Sequence, residues 1–291
     1  MNNFPVLSIN LFLELDNTDF YSNNIVSHCT KFHNSITIPH KHDSYLIVLF
    51  TEGSGIHEID FTTHEIKKGT VFLLNPGQTH HWELSDDIEG YIFVHTNSFY
   101  ELYFSKNRMS QYPFFFSRQN SPCINIKLDN FDYIETLFRS INDEYDAIQI
   151  MSYQKIINLI DILYIDLYRL YIQPISDEKI KTNDIYLLKI KELEHLIETN
   201  YLDIKSPLAY SKLMNISTKH LNRIVKSLLN KTTQDLINER VILEAKRMLI
   251  NPENSVSKIS FYLGYDDDSY FSRFFKKNCS ETPREFSNRY K

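Results

Sequence analysis

The spacing of apolar residues changes period along this 291-residue chain. Between residues 36 and 96, short runs rich in Ile, Val, Phe and Thr are punctuated by glycine: YLIVLFTEG, GIHEIDF, GTVFLLNPG and GYIFVHT. Such runs predict β-strands, and turn signals about every ten residues favour a sandwich or small barrel. From residue 129 the period lengthens. Phe131, Ile134, Leu137, Phe138 and Ile141 recur at three- and four-residue steps, which predicts a helix. A second helix is predicted from about Tyr153 to Ile172. Its Ile156, Ile157, Leu159, Ile160, Leu163, Leu167 and Leu170 exceed what one stripe needs. It therefore packs on the sheet domain alone, or meets a second subunit as well. The stretch QPISDEKIKTND then breaks the pattern with a proline and a polar remainder. It is read as a linker over 173–183 between domains of residues 1–172 and 184–291. Beyond it the chain is predicted helical to its end.

The carboxy-terminal part repeats itself at an offset of fifty residues. SKLMNISTKHLNRIVKSLLNKTTQDL begins at Ser211 and FYLGYDDDSYFSRFFKKNCSETPREF at Phe261. Laid together without a gap, Leu213 meets Leu263, Ser217 meets Asp267 and Leu221 meets Phe271. Arg223 meets Arg273, Lys226 meets Lys276, Thr232 meets Thr282 and Leu236 meets Phe286. Each copy predicts a helix-turn-helix. A first helix runs from about Pro207 to Met214 in one copy, and from about Val256 to Leu263 in the other. Gly264 suits the left-handed residue that closes such a helix. Ser217 and Asp267 suit the N-cap of the next. In the first copy Leu221, Ile224, Val225 and Leu228 form the inward face of that second helix. Lys219, Asn222, Arg223 and Lys226 form the outward face. In the second copy Phe271, Phe274, Phe275 and Asn278 take the inward positions, and Ser269, Ser272, Arg273 and Lys276 the outward ones. A helix of this kind fits the major groove. Arg reads guanine bidentately, Asn reads adenine, and Lys and Ser hold phosphate. Between the copies, Leu236, Ile237, Val241, Leu243, Ala245, Met248 and Leu249 predict a long helix that Pro252 ends. About 15 helical residues span over ~20 Å. Such a strut suits two recognition helices set about one DNA turn apart, ~34 Å.

Charge supports this division. From Lys205 to Lys291 there are 16 Lys and Arg against 9 Asp and Glu, a balance of +7. The preceding residues hold 15 against 28, a balance of -13, and the whole chain carries -6. Phosphate attraction is therefore expected in one module only. Three distant cysteines, Cys29, Cys123 and Cys279, make neither a zinc knuckle nor a disulfide framework. The start MNNFPVLSINLFLEL lacks a signal peptide's basic region and cleavage site, and no run is long enough to span a membrane. A reduced cytoplasm, with no membrane partner, is the expected compartment. No catalytic Ser/His/Asp set, P-loop or Rossmann fingerprint is present.

Over about Ile185 to Lys291 these residues resemble the AraC/XylS family of bacterial transcription regulators. FYLGYDDDSYFSRFFKKNCSETPREFSNRY is similar to the family signature over its second unit, and Arg240, Ala245 and Leu249 fit the helix between units. The resemblance implies a regulator, usually an activator, that binds double-stranded promoter DNA near RNA polymerase. By position it implies base-reading roles for Lys219, Asn222 and Arg223, and for Asp268, Ser269, Ser272 and Arg273. Ser217, Lys226 and Lys276 complete the expected DNA-binding set. Asn230 and Ser280 stand where the family commonly has glycine. Asp267 is explained as an N-cap and Asp268 can accept from cytosine N4; Asp266 has no role in this reading. The first unit is expected to carry more of the specificity.

The segment IPHKHDSYLIVLFTEGSGIHEIDF…KKGTVFLLNPGQTHHWEL resembles the cupin-type sensor domain joined to many such regulators. The fold implied is α+β in two domains. A cupin-like β-barrel with packed helices for dimerisation comes first, and an all-α domain of two helix-turn-helix units joined by a helix follows. His40 and His42 resemble the first cupin motif, and Gly69, Pro76, Gly77 and His80 the second. Three His could hold Zn²⁺ or Fe²⁺ with open positions. The Glu that enzymatic cupins place after the paired His is missing: Asp43, Ser44, Tyr45, Leu46 and Ile47 follow. Regulators of this family commonly bind no metal, so neither metal nor cofactor is expected. The candidate ligand-binding residues are His40, His42, His57, His80 and Trp82. His57 shares a strand face with Ile59 and Phe61, and Trp82 either stacks on a ligand or belongs to the core. His28, His33, His64 and His95 show no constellation. The reading is a non-enzymatic, homodimeric regulator whose barrel senses a small molecule or only mediates dimerisation; the alternative is a metal-dependent cupin enzyme with an appended DNA-binding domain.

Overall fold

The computed structural model describes residues 5–12, 19–36, 38–102, 104, 109–116, 121–172, 180–251 and 253–290. By compactness the chain divides into Phe4–Ile175 and a second unit running through Ser176–Lys291. The first holds β1 (Val6–Leu7), β2 (Phe20–Asn24), α1 (Ile25–Ile36), β3 (His40–His42), β4 (Tyr45–Glu52), β5 (Gly55–Ile59) and β6 (Thr62–Ile66). It continues with β7 (Thr70–Leu74), β8 (Thr79–Leu84), β9 (Glu89–His95), α2 (Asn97–Glu101), α3 (Pro113–Phe116), β10 (Cys123–Asn125), α4 (Leu128–Ala147) and α5 (Ser152–Ile172). Two five-stranded sheets form, ordered β1-β3-β8-β5-β6 and β10-β7-β4-β9-β2.

The continuous apolar runs of β4 and β7 follow from burial on both faces. Leu46, Val48, Phe50, Phe72 and Leu74 point to one side, where they share a core with Ile59, Ile66 and Trp82 of the other sheet. Ile47, Leu49, Val71 and Leu73 point to the other side, against α4 and α5. The surplus apolar positions of α5 are largely used within this unit. Ile156, Ile157, Ile160, Leu163 and Leu167 are buried, and Leu159 and Leu170 pack at the margin.

Two histidines without a sequence constellation are core residues. His28 meets the Tyr21 hydroxyl through Nδ1 at 3.1 Å. His95 meets the Tyr164 hydroxyl through Nε2 at 2.7 Å, while its Nδ1 donates to the Thr96 carbonyl at 2.9 Å. Burial pushes the His95 imidazole down to about 4. Burial, aided by His40, pushes His28 down to about 3.

The second unit is helical: α6 (Ile180–Asn200), α7 (Pro207–Leu213), α8 (Thr218–Leu229), α9 (Thr233–Leu249), α10 (Val256–Tyr262), α11 (Asp268–Cys279) and α12 (Pro283–Arg289). Helix α6 begins inside the span read as linker. Residues 173–179 of that span, and Pro252, lie outside the described residues. The repeat appears in the backbone, with one correction to its register. From the second helix onward the offset is fifty: Ser217 and Asp267 are N-caps, and Asn230 and Ser280 are left-handed C-caps. Thr232 and Thr282 open α9 and α12 with reciprocal capping boxes to Asp235 and Glu285. The first helices instead match at forty-nine. Ser206 and Ser255 precede α7 and α10, and Asn215 (φ +53°) and Gly264 (φ +76°) take the left-handed position after them. Ile216 and Tyr265 then donate N–H to the carbonyls of Ser211 and Ser260, each at 3.0 Å. The gapless pairing of Leu213 with Leu263 is therefore wrong. Leu213 is 48% exposed, whereas Met214, at 3%, fills the position of Leu263. Asp266, which had no role in the sequence, is the extra residue in the second turn.

His28 and His95 both have folded-state pKa values below the ordinary 6.5, so between those values the unfolded chain binds more protons. Their stabilising contribution is complete above pH 6.5 and is lost as pH falls toward 4, by about 1.4 kcal/mol per pH unit for each group. Thermal melts from pH 7 to pH 4.5 are expected to show the first unit losing stability steadily, with His95→Gln flattening the slope. In the second unit, a Cβ on Gly264 would lie 2.8 Å from the Leu202 carbonyl oxygen. Gly264→Ala is expected to cost roughly 1–3 kcal/mol, and Asn215→Gly under about 1 kcal/mol, in urea unfolding.

Candidate nucleic-acid interface and barrel histidine site

Helix α8 separates its faces as expected. Leu221, Ile224 and Val225 are fully buried and Leu228 is half-buried. Lys219, Arg223 and Lys226 are exposed on the opposite face. The helix is started by Ser217, whose Oγ accepts from the His220 N–H at 3.2 Å. Arg223 donates through Nη2 to His220 Nδ1 at 2.7 Å, which holds the guanidinium along the exposed face. Asn222 behaves differently from its neighbours. It is half-buried, and its Oδ1 accepts the Thr233 N–H at 3.0 Å, one of the otherwise orphaned donors at the start of α9.

In α11, Phe271 and Phe275 are buried and Phe274 is half-buried. Asn278, placed with the inward set by the sequence, is exposed and donates back to the Phe274 carbonyl at 2.8 Å. Ser269, Arg273, Lys276 and Asp268 are exposed, and Ser272 is half-buried. Asp267 accepts from the N–H groups of Ser269 (2.7 Å) and Tyr270 (3.2 Å). These bonds hold its carboxyl below the usual range, so the cap is a full negative charge. Asp268 adds a second acid in the first turn, where the helix dipole favours it. Arg273 also lines a groove of about 520 Å³ with Lys205, Lys277, Tyr265, Tyr270 and Gln234. Lys277 was missed in the sequence because it falls off the i, i+3, i+4, i+7 stripe.

The barrel brings together four of the five candidate ligand residues as one histidine cluster, with the fifth beside it. His40 pairs in register with His80 across β3 and β8. Across β5 and β8, His57 pairs with Trp82 and Ile59 with His80. All four imidazoles are buried. His42 Nε2 and His80 Nε2 are 2.9 Å apart, and His57 Nε2 and His80 Nδ1 are 2.9 Å apart. His40 Nδ1 faces the Ile38 carbonyl at 2.8 Å, so that nitrogen carries the proton. Its Nε2 is then a lone-pair acceptor, buried without a hydrogen-bond partner among the described residues. A ring nitrogen from each of His40, His42 and His80 lies within 4.8 Å of the others, and no carboxylate joins the group among the described residues. Burial lowers the pKa of His42, His57 and His80 well below the ordinary value, and neighbouring imidazoles lower it further. All three are neutral near pH 7, the form that coordinates metal. Trp82 lies 5.3 Å from His80 and 6.4 Å from Phe50, on the core side of β8.

Comparison with known proteins assigns both units. Residues 25–123 match the family model described as an AraC-like ligand binding domain, and residues 210–289 match that of a helix-turn-helix domain. The chain is similar to the transcriptional activator RhaS of Salmonella arizonae, 22% identical over 256 residues that cover 84% of this chain and 86% of that protein. It is similar to RhaR of Mannheimia succiniciproducens at 21% identity, covering 86% and 87%. The solved structure of ToxT from Vibrio cholerae O395 aligns over 94% of this chain and 98% of that one, at 12% identity and a TM-score of 0.43. With an AraC-like ligand-binding domain in its first unit and two capped helix-turn-helix motifs in its second, the chain belongs to the AraC family of DNA-binding transcription regulators.

Proposed function

We propose that this protein is a one-component, non-enzymatic transcription activator, in which occupancy of the barrel changes how the helical unit engages promoter DNA. The observation that carries the reading is the exposed face of α8: Lys219, Arg223 and Lys226 stand free of the core on a helix fixed at both ends. Activation is proposed because RhaS and RhaR are named activators. In this reading residues 1–172 sense and dimerise, 173–183 link, and 184–291 bind DNA beside RNA polymerase in the cytoplasm. Among the described residues, no helix is long and apolar enough to cross a membrane.

The two recognition helices divide the work unequally. Arg223 and Lys219 read base edges in the first groove, and Ser217 and Lys226 position the backbone. On α11, Ser269, Ser272 and Arg273 face the second groove, Asp268 accepts from cytosine, and Lys276 holds phosphate. Asn222 is reassigned: bidentate recognition of adenine needs both its amide oxygen and its nitrogen, and the oxygen already caps α9.

Selection of a duplex from a random library, followed by titration, tests these roles. Arg223→Ala is expected to cost ~1–3 kcal/mol on the selected site and to relax preference at one position. Undiminished specific binding would remove Arg223 from the reading face. Lys226→Ala is expected to weaken all sequences alike and to reduce the salt slope by about 1. For Asn222→Ala the expected change is a loss of about 1 kcal/mol in stability with unchanged base preference; a shifted preference would restore it to the interface.

A further inference from the structure

We propose that the groove between α9 and α11 binds a small organic phosphate carrying a planar ring, with the chemistry of a nucleoside monophosphate, and that its occupancy withdraws Arg273 from DNA. The binding site stands on the geometry of the helical unit alone. Only its consequence for DNA rests on the regulator reading above.

The groove encloses about 520 Å³, within the ~300–1,000 Å³ typical of small-molecule sites. Its floor is apolar, formed by the buried Ile237 and Val241 of α9. Lys205, Arg273 and Lys277 line it, and no Asp or Glu does among the described residues. Arg273 and Lys277 are one turn apart on α11, so their heads overhang the same edge. Neither makes a salt bridge among the described residues. Asp267 feels the charge of Arg273, but its Oδ1 is taken by the N–H groups of Ser269 and Tyr270.

Lys205 is held in place. Its Nζ donates to the carbonyls of Leu202 at 2.8 Å and Tyr201 at 3.2 Å, and lies 5.3 Å from the centre of the Tyr265 ring. An ammonium has three N–H donors, so one is left for a ligand. Burial pulls its pKa below the ordinary value, the sign of a partly desolvated charge that an adjacent anion stabilises. Gln234 donates to the Lys205 carbonyl at 3.2 Å and to Asn238 Oδ1 at 2.9 Å, which fixes the α9 side of the groove.

Aromatic rings form the remaining wall. Tyr265 lies 5.4 Å from Phe274 and 6.0 Å from Tyr270, and Tyr270 is 56% exposed. An exposed ring beside cations is a platform for a planar ligand. Arg and Lys together suit phosphate, and three cations balance its double charge better than a single carboxylate. A duplex phosphate can reach the same cations, but the bases of a duplex are stacked on one another and cannot use the aromatic wall.

The repeat supplies an internal comparison. Helix α6 packs on α8 as α9 packs on α11. At the offset of fifty, Tyr270, Lys277 and Asn278 correspond to His220, Ser227 and Leu228. In the first copy His220 meets the Tyr186 ring of α6 at 6.0 Å, Ser227 donates to the Ile224 carbonyl at 2.8 Å, and Leu228 is half-buried. In the second copy Tyr270, Lys277 and Asn278 are all exposed. The helix-turn-helix fold therefore does not require a cation and an aromatic ring on this flank; they belong to this groove.

Calorimetric titration of the full-length protein with adenosine monophosphate, ribose phosphate and adenosine tests the site without DNA. The expected result is one saturable site per chain for adenosine monophosphate, with at least about tenfold weaker binding of ribose phosphate, which lacks the ring, and of adenosine, which lacks the charge. Arg273→Ala and Lys277→Ala are expected to weaken adenosine monophosphate by about 10–100-fold. Tyr270→Ala is expected to weaken it about tenfold and to leave ribose phosphate unchanged. Lys258→Ala, an exposed lysine of α10 outside the groove, is expected to change nothing. Circular dichroism reports whether each variant keeps its fold. Wild-type protein without saturable binding of adenosine monophosphate overturns the proposal whatever the variants do. Affinity unchanged in folded Arg273→Ala and Lys277→Ala places the ligand elsewhere and overturns it equally, and affinity unchanged in Tyr270→Ala overturns the ring-bearing ligand. Titration of the selected duplex is scored separately. Its affinity is expected to fall when adenosine monophosphate saturates the protein; an unaltered affinity overturns the coupling to DNA and not the site.

Discussion

The guanidinium of Arg240 lies between Glu198 of α6 (2.7 Å and 3.0 Å) and Glu244 of α9 (3.1 Å), 3.8 Å from the ring centre of Tyr201. It is 8% exposed. A charge so placed is tolerable only when its donors are satisfied, and here three of its nitrogens have carboxylate partners. The rest of the helical unit depends on this arrangement because α9 has almost no free side. Leu236, Ile237, Val241, Ala245, Met248 and Leu249 are buried along with Arg240, Glu244 and Arg247. Helices α6, α7, α8, α10, α11 and α12 all pack against it. With its flanks occupied, α9 gives both helix-turn-helix motifs one rigid reference.

Around that strut, the two motifs solve the same local problem with different chemistry. Each must turn the chain sharply between two helices and then satisfy the first N–H groups of the second. The first copy uses Asn215 in the left-handed position and a neutral Ser217 cap. The second uses Gly264, one extra residue and an ionised Asp267. The extra residue and the acidic cap place more negative charge at the entrance of α11. The charge at that helix start is correspondingly more negative than at α8, whose first turn carries no acid.

In the barrel the governing cost is the burial of polar imidazoles. Four histidines surrounded by aromatic rings stay neutral and hydrogen-bond largely to one another. His28 and His95 meet the same cost by pairing with the hydroxyls of Tyr21 and Tyr164. The difference lies in completeness, since the His40–His42–His57–His80 group retains nitrogens that meet no partner among the described residues.

The sequence by itself determined what depends on neighbours within a helical turn or along one strand. The period of two and the period near 3.6, the caps Ser217 and Asp267, the left-handed Gly264 and the exposed faces of α8 and α11 were legible for this reason. Tertiary structure decided what depends on residues far apart in the chain. Pairing across β3, β8 and β5 places His57 against His80, twenty-three residues away, a contact that no local spacing encodes. Packing on α9 decided that Met214 rather than Leu213 fills the core, because only the folded turn shows where Asp266 is inserted. It also decided that Asn222 serves Thr233. On a helix wheel an amide facing DNA and one facing the next helix's first N–H are nearly the same position; only the approach of α9 tells them apart.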